Sequence, residues 1–154
     1  MENVNVSGFN LFAQHKSTSH ELQLGADGQF NNLKSTAREV NIYTNETVAL
    51  DTRYPDGTNT MTIAGVYLTH LWKFNGKTNL TDGFRVGYST LQSTMVDTTF
   101  FKFPFNTISQ QTPTYSGSLG IVHNASEKLK ISALISSGFR VPNVDDLAKI
   151  FEST

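Results

Sequence analysis

The chain has 154 residues, of which 38% are hydrophobic and only 16% charged, with a formal net charge of −1 and no cysteine. It therefore carries no disulfide framework, no thiolate metal site and no cysteine nucleophile, and its balanced charge leaves no electrostatic footprint for nucleic acid. In place of charge stand 19 Thr, 14 Ser and 13 Asn, a mixture that suits strands with one polar face and disfavours a helical bundle.

Period-2 alternation runs through six segments of about a dozen residues, longer than the usual strand of about 5 to 6. The first, about Val4 to Lys16, sets Phe9, Leu11 and Ala13 against Gly8, Asn10 and Gln14. The second, His20 to Asn32, is the cleanest, with Leu22, Leu24, Ala26 and Phe30 opposite Glu21, Gln23, Asp27 and Gln29. The third, Thr60 to Phe74, carries Ala64, Val66, Leu68, Trp72 and Phe74 on one parity. The fourth, Thr78 to Gln92, places Leu80, Phe84, Val86 and Tyr88 opposite Arg85, Gly87 and Ser89. The fifth, Tyr115 to Asn124, sets Tyr115, Leu119 and Ile121 against Ser116, Ser118 and Gly120. The sixth, Lys128 to Arg140, sets Leu129, Ile131, Ala133 and Ile135 against Lys130, Ser132 and Ser136.

The connections alternate in length. Ser17 to Ser19, Asn75-Gly76 and Ala125 to Lys128 are short, and the Asn-Gly pair is expected to supply positive φ to a tight hairpin. The gaps from Leu33 to Asn59 and from Ser93 to Pro113 are far longer than the median connection of roughly 4 to 6 residues. Long strands with short turns at one end and long loops at the other describe an all-β, antiparallel up-and-down meander of about six strands, an excerpt of a transmembrane β-barrel. Its apolar parity would face lipid and its Ser/Thr/Gly parity the lumen, with Trp72, Phe74 and Tyr115 in the interfacial girdle.

Six strands cannot close such a barrel, so residues 1–154 are expected to be part of one, with a plug domain and the remaining strands outside this chain. No apolar run approaches the roughly 20 residues of a transmembrane helix, and MENVNVSGFN does not read as a signal peptide. The alternative is a soluble β-sandwich or barrel acting as a binding module. The two differ in where Leu22, Val66, Leu68, Phe84, Val86 and Ile131 go: onto one continuous outer face opposite Arg85, Gln23 and Asp27, or into a closed core between two sheets.

One motif carries a family resemblance. Gly138-Phe139-Arg140-Val141-Pro142-Asn143 resembles the GFRAPN box of TonB-dependent outer-membrane receptors, Bacteroidetes receptors in particular, with Val141 in place of the usual Ala. Asp145, Asp146, Leu147 and Phe151 continue the pattern that often follows it. Arg53-Tyr54-Pro55-Asp56-Gly57 and Phe103-Pro104-Phe105 are similar to loop motifs of the same receptors. The resemblance implies a plugged barrel of about 22 strands in the bacterial outer membrane. Such a receptor takes up a scarce ligand (an iron chelate, haem, cobalamin or a glycan) with energy from an inner-membrane TonB complex that contacts N-terminal parts. The partners implied are outer-membrane lipid, the imported ligand and that complex, and no nucleic acid. An excised piece would self-associate through its apolar face or open edges.

No catalytic constellation is present: there is no GxSxG, no HExxH and no Gly-rich phosphate loop. An enzyme is not expected, nor a cofactor. His15 and His20 straddle a short turn, but two histidines without a third ligand do not make a zinc site, and His70 and His123 are placed on or near the polar parity. Asn143 is a plausible N-cap for a short helix beginning near Val144, with acids in its first turn, and a disordered terminus is the equal alternative. Ligand-contact candidates lie in the long loops, where irregular chain is presented by a rigid scaffold: Arg53, Tyr54 and Asp56 in the first, and Phe100, Phe101, Phe103 and Phe105 in the second. Self-packing competes with ligand contact as the reason for that phenylalanine cluster.

Overall fold

The computed structural model describes residues 1–50, 52, 55–96 and 104–147. Six long strands form one antiparallel sheet: β1 (Glu2–Lys16), β2 (His20–Ser35), β5 (Asn59–Asn75), β6 (Thr78–Thr94), β7 (Thr107–Asn124) and β8 (Lys130–Ser137). A separate hairpin, β3 (Ala37–Val40) with β4 (Thr47–Leu50), rises between β2 and β5, and a short helix α1 (Val144–Leu147) follows β8. The sheet order β1-β2-β5-β6-β7-β8 is a plain meander, with β1 and β8 at its edges.

The pairing register turns sequence alternation into two chemically distinct faces, because side chains of opposed residues point the same way. Leu11, Ala26, Val66, Val86 and Tyr115 are successive cross-strand neighbours, as are Ala13, Leu24, Leu68 and Phe84. One step away, Gln14, Gln23, Thr69, Gly83, Ser118 and Ser136 form an unbroken polar and glycine row across all six strands. The Leu-rich face is uncovered: Leu11, Leu24, Val66, Phe84, Tyr115, Leu119 and Ile135 are more than half exposed.

This arrangement excludes a sandwich among the described residues. No second sheet packs on the Leu-rich face, since β3 and β4 pair only with each other. Among the described residues only Met61, Leu91 and Val144 are buried hydrophobics. They lie at the long-loop end of the polar face, with Leu33, Ile63 and Val141 against them.

Four details differ from the sequence reading. The first long connection contains the β3–β4 hairpin, whose turn places Asn45 at φ 56°. Strand β7 begins at Thr107 rather than near Tyr115, running through Pro113. Pro113 opposes Tyr88 of β6, while β8 pairs only with Gly117–Asn124. Beyond Gly117 the other edge of β7 is open, and there a missing amide hydrogen is tolerated. The Asn75-Gly76 turn needs no positive φ, as no described glycine adopts one. Instead the Asn75 carboxamide oxygen accepts from the amides of Lys77 (2.9 Å) and Thr78 (2.8 Å), an Asx turn. Finally, His70 and His123 belong to the apolar parity, opposing Leu22 and Ile131.

Candidate functional site

The long-loop end is knitted together by polar contacts before any candidate residue is considered. Gly57 donates to the Thr94 carbonyl (3.0 Å) and Thr94 donates back to Thr58 (3.0 Å), extending the β5–β6 ladder into both loops. A side chain at 57 would put its Cβ 2.3 Å from the Thr94 oxygen, so this close approach requires glycine. Met95 donates to the Asn106 carbonyl at 2.8 Å, closing the neck of the second loop.

Asn59, the first residue of β5, is fully buried beneath this junction. Its amide donates to the carbonyls of Pro55 (2.7 Å), Leu33 (3.3 Å) and Gly57 (3.4 Å), and its oxygen accepts from the buried Ser93 hydroxyl at 2.5 Å. One carboxamide thus joins the ends of β2, β5 and β6 to the first loop. Its only sequence signal is an Asn after a turn-like Asp-Gly-Thr. Its importance depends on burial, which a local pattern does not encode.

Of the loop candidates, Asp56 accepts from the Val96 amide (2.8 Å) and so ties the first loop to the second. Phe105 stands just before β7 and is 46% exposed. Arg53, Tyr54, Phe100, Phe101 and Phe103 lie outside the described residues.

The box residues fold back over the polar face. Phe139 lies against the Arg85 guanidinium, 5.6 Å from carbon to ring centroid, a cation–π contact. Arg85 is itself held side-on by Asp27 of β2, with Nε donating to Oδ2 at 3.0 Å and Nη2 to Oδ1. Beside this pair Tyr67 donates to Asn10 (3.1 Å) and accepts from Gln23 (3.2 Å), and Ser116, Ser118 and Ser136 line the same hollow. Val141 and Val144 pack against Met61 and Leu91.

Asn143 and Asp146 cap α1 reciprocally: the Asp146 amide donates to the Asn143 side-chain oxygen and the Asn143 amide to the Asp146 carboxylate, both at 3.0 Å. This is a capping box, and Arg140 also donates to Asp146. Gly138 precedes it in open space, and Pro142 supplies the rigid step into the cap. Of the two readings of this segment, the described residues form a helical turn at Val144–Leu147, and the spacing of Arg140, Asn143 and Asp146 is a local folding device.

Among the described residues no group of three or more His, Asp or Glu side chains is arranged to hold a metal ion, and no helix is long and apolar enough to cross a membrane. The polar face with its loops offers hydrogen-bonding and aromatic surface rather than a reacting centre.

The family described as TonB dependent receptor-like, beta-barrel matches residues 2–151. The chain belongs to that family. No curated protein matches it in sequence. Among solved structures, the receptor segment is similar in fold to a protein named as the copper transporter OprC, with a TM-score of 0.78 at 16% identity. The superposition covers 94% of this chain and 22% of that one, so this receptor segment spans about a fifth of its structural neighbour's length. The family's members and this neighbour are receptors and transporters, and the long uncovered strands are barrel staves.

Proposed function

We propose that this chain is part of a closed barrel in the bacterial outer membrane that takes up a scarce ligand with energy from a TonB complex. The observation that carries the reading is the division of one six-stranded sheet into an uncovered Leu-rich face and a polar face. Water penalises such a face and lipid does not. Two open edges support further strands on either side, and a plug against the Arg85–Asp27 face fits the polar lining. The short turns then face the periplasm and the long loops the exterior.

In this reading Arg53, Tyr54, Asp56, Phe100, Phe101, Phe103 and Phe105 contact the ligand, and Asp56 also sets the spacing of the two loops. The ligand class is an iron chelate, haem, cobalamin or a glycan, and the GFRVPN box favours a Bacteroidetes-type receptor. The test is deletion of the gene in its own host, followed by growth with each ligand class as the sole limiting source. Loss of growth on one class, restored by the gene but weakly by a variant with Arg53, Tyr54 and Asp56 changed to Ala, is the expected result. Unimpaired growth on all four overturns the proposal.

A further inference from the structure

All four histidines of the chain lie near the short-turn end, and all four fall on the Leu-rich parity. His15 opposes Leu22, His20 opposes Trp72, His70 opposes Leu22 from the other side, and His123 opposes Ile131. Three strands contribute to a continuous hydrogen-bonded line. Asp82 of β6 contacts His70 of β5 (Oδ1 to Nδ1, 2.9 Å), and His70 contacts His20 of β2 (Nε2 to Nδ1, 3.0 Å). The two imidazoles are within 12° of parallel. His20 in turn stacks beside Trp72, with ring centroids 5.7 Å apart, and Trp72 meets Phe74 edge-on at 5.0 Å.

The line has a chemical direction. An ionised carboxylate only accepts hydrogen bonds, so His70 must donate through Nδ1 to Asp82. With one proton on each imidazole, His70 Nε2 is then an acceptor and His20 must donate to it through Nδ1. That leaves His20 Nε2 as a bare acceptor. The carboxylate end also keeps an oxygen, Oδ2, with no partner among the described residues. Both ends reach solvent: His20 is exposed, and the Asp82 side chain is 50% exposed while His70 between them is 24% exposed. The line therefore presents an acceptor at each end, and beside the His20 end stand two aromatic rings that attract cations.

A polar line on a lipid-facing surface is costly in hydrocarbon and stable where headgroups begin. It stands one cross-strand step from Trp72, the residue type that marks that boundary. We propose that Asp82, His70, His20 and Trp72 form a surface site for the primary ammonium of a phosphoethanolamine lipid in the leaflet at the short-turn end. The ammonium donates an N–H to His20 Nε2 while the adjacent Trp72 face takes part of the charge; Asp82, at the far end of the line, acts by orienting His70 and through it His20. A phosphoglycerol headgroup brings an anion and no ammonium, and a phosphocholine headgroup brings a cation without N–H donors. The site discriminates against both.

This inference rests on the membrane reading above, and the two are separable. The full-length gene product is reconstituted in nanodiscs of equimolar phosphatidylethanolamine, phosphatidylglycerol and phosphatidylcholine, and lipids retained after mild delipidation are counted by native mass spectrometry. Several-fold enrichment of phosphatidylethanolamine is expected, falling to the bulk ratio in a variant with Asp82→Asn and His20→Phe. Leu119→Ala on the same face is expected to leave the enrichment intact. Heat-modifiable gel migration verifies that each variant is folded. Equal retention of the three lipids, enrichment of phosphatidylglycerol, or undiminished enrichment in the double variant overturns the site. A single cysteine at Val66 or Val86 that is closed to a lipid-soluble label and open to a water-soluble one instead overturns the membrane reading itself.

Discussion

At the scale of single residues, the polar face is organised by side chains whose weight comes from burial. Asn59 satisfies three carbonyls and one hydroxyl where β2, β5 and β6 meet the first loop. Replacing it with Leu, similar in size but without donors, leaves those groups unpaired in a buried place. The expected loss is about 2–3 kcal/mol, read as a lower urea midpoint for the protein refolded in detergent, and an unchanged midpoint would show that water replaces the carboxamide. Arg85 illustrates what one sequence does and does not disclose. Its polar parity was visible, but its partner Asp27 sits 58 residues away and its aromatic cover, Phe139, comes from beyond β8. Nothing in local spacing joins those three. By contrast, Asn143 was legible as an N-cap because its partner Asp146 lies three residues away, whereas the Arg140 contact to Asp146 was not read.

At the scale of elements, alternation located all six long strands, and their ends were harder to read. Strand β7 was shortened in the reading because Pro113 is a strand breaker wherever both edges are paired, and only the sheet shows that one edge is open there. The β3–β4 hairpin was missed because two four-residue strands give too few alternations to stand out. The β5–β6 turn was located correctly and explained by the wrong residue. Its amides are held by the Asn75 side chain, while Gly76 has negative φ and nothing within 4 Å of a would-be Cβ. Gly76→Ala is therefore expected to change stability by less than about 0.5 kcal/mol or to stabilise slightly. Asn75→Ala is expected to cost about 0.5–1 kcal/mol. Refolding equilibria of the two variants measured side by side check this, and the reverse order would restore the glycine explanation.

At the scale of the whole molecule, the sheet is a wall with two solvents in view. A charge in the middle of the Leu-rich face, Val86→Lys, is expected to cost about 2–4 kcal/mol in a bilayer. Ser116→Lys, on the opposite face of the neighbouring strand, is expected to cost much less. Folding yield into vesicles compares them directly, and equal penalties would contradict the assignment of faces. The same wall predicts behaviour outside a membrane. The chain produced alone in plain buffer is expected to associate into oligomers or to need detergent, because its uncovered apolar rows meet water. Light scattering checks this, and a monodisperse monomer would count against it.

The sequence by itself determined the strands, the two faces, and the alternation of short turns and long loops. Each of these is written in neighbours two to six positions apart, the distance over which backbone geometry imposes a period. The tertiary structure decided which residues became partners: Asn59 with Ser93, Arg85 with Asp27 and Phe139, Asp82 with His70 and His20. His70 and His123, read as polar-facing, lie on the apolar parity of their own strands. Cross-strand register creates those neighbours, and register is fixed by the whole sheet pairing at once. A residue's face follows from its parity, but its company follows only from the fold.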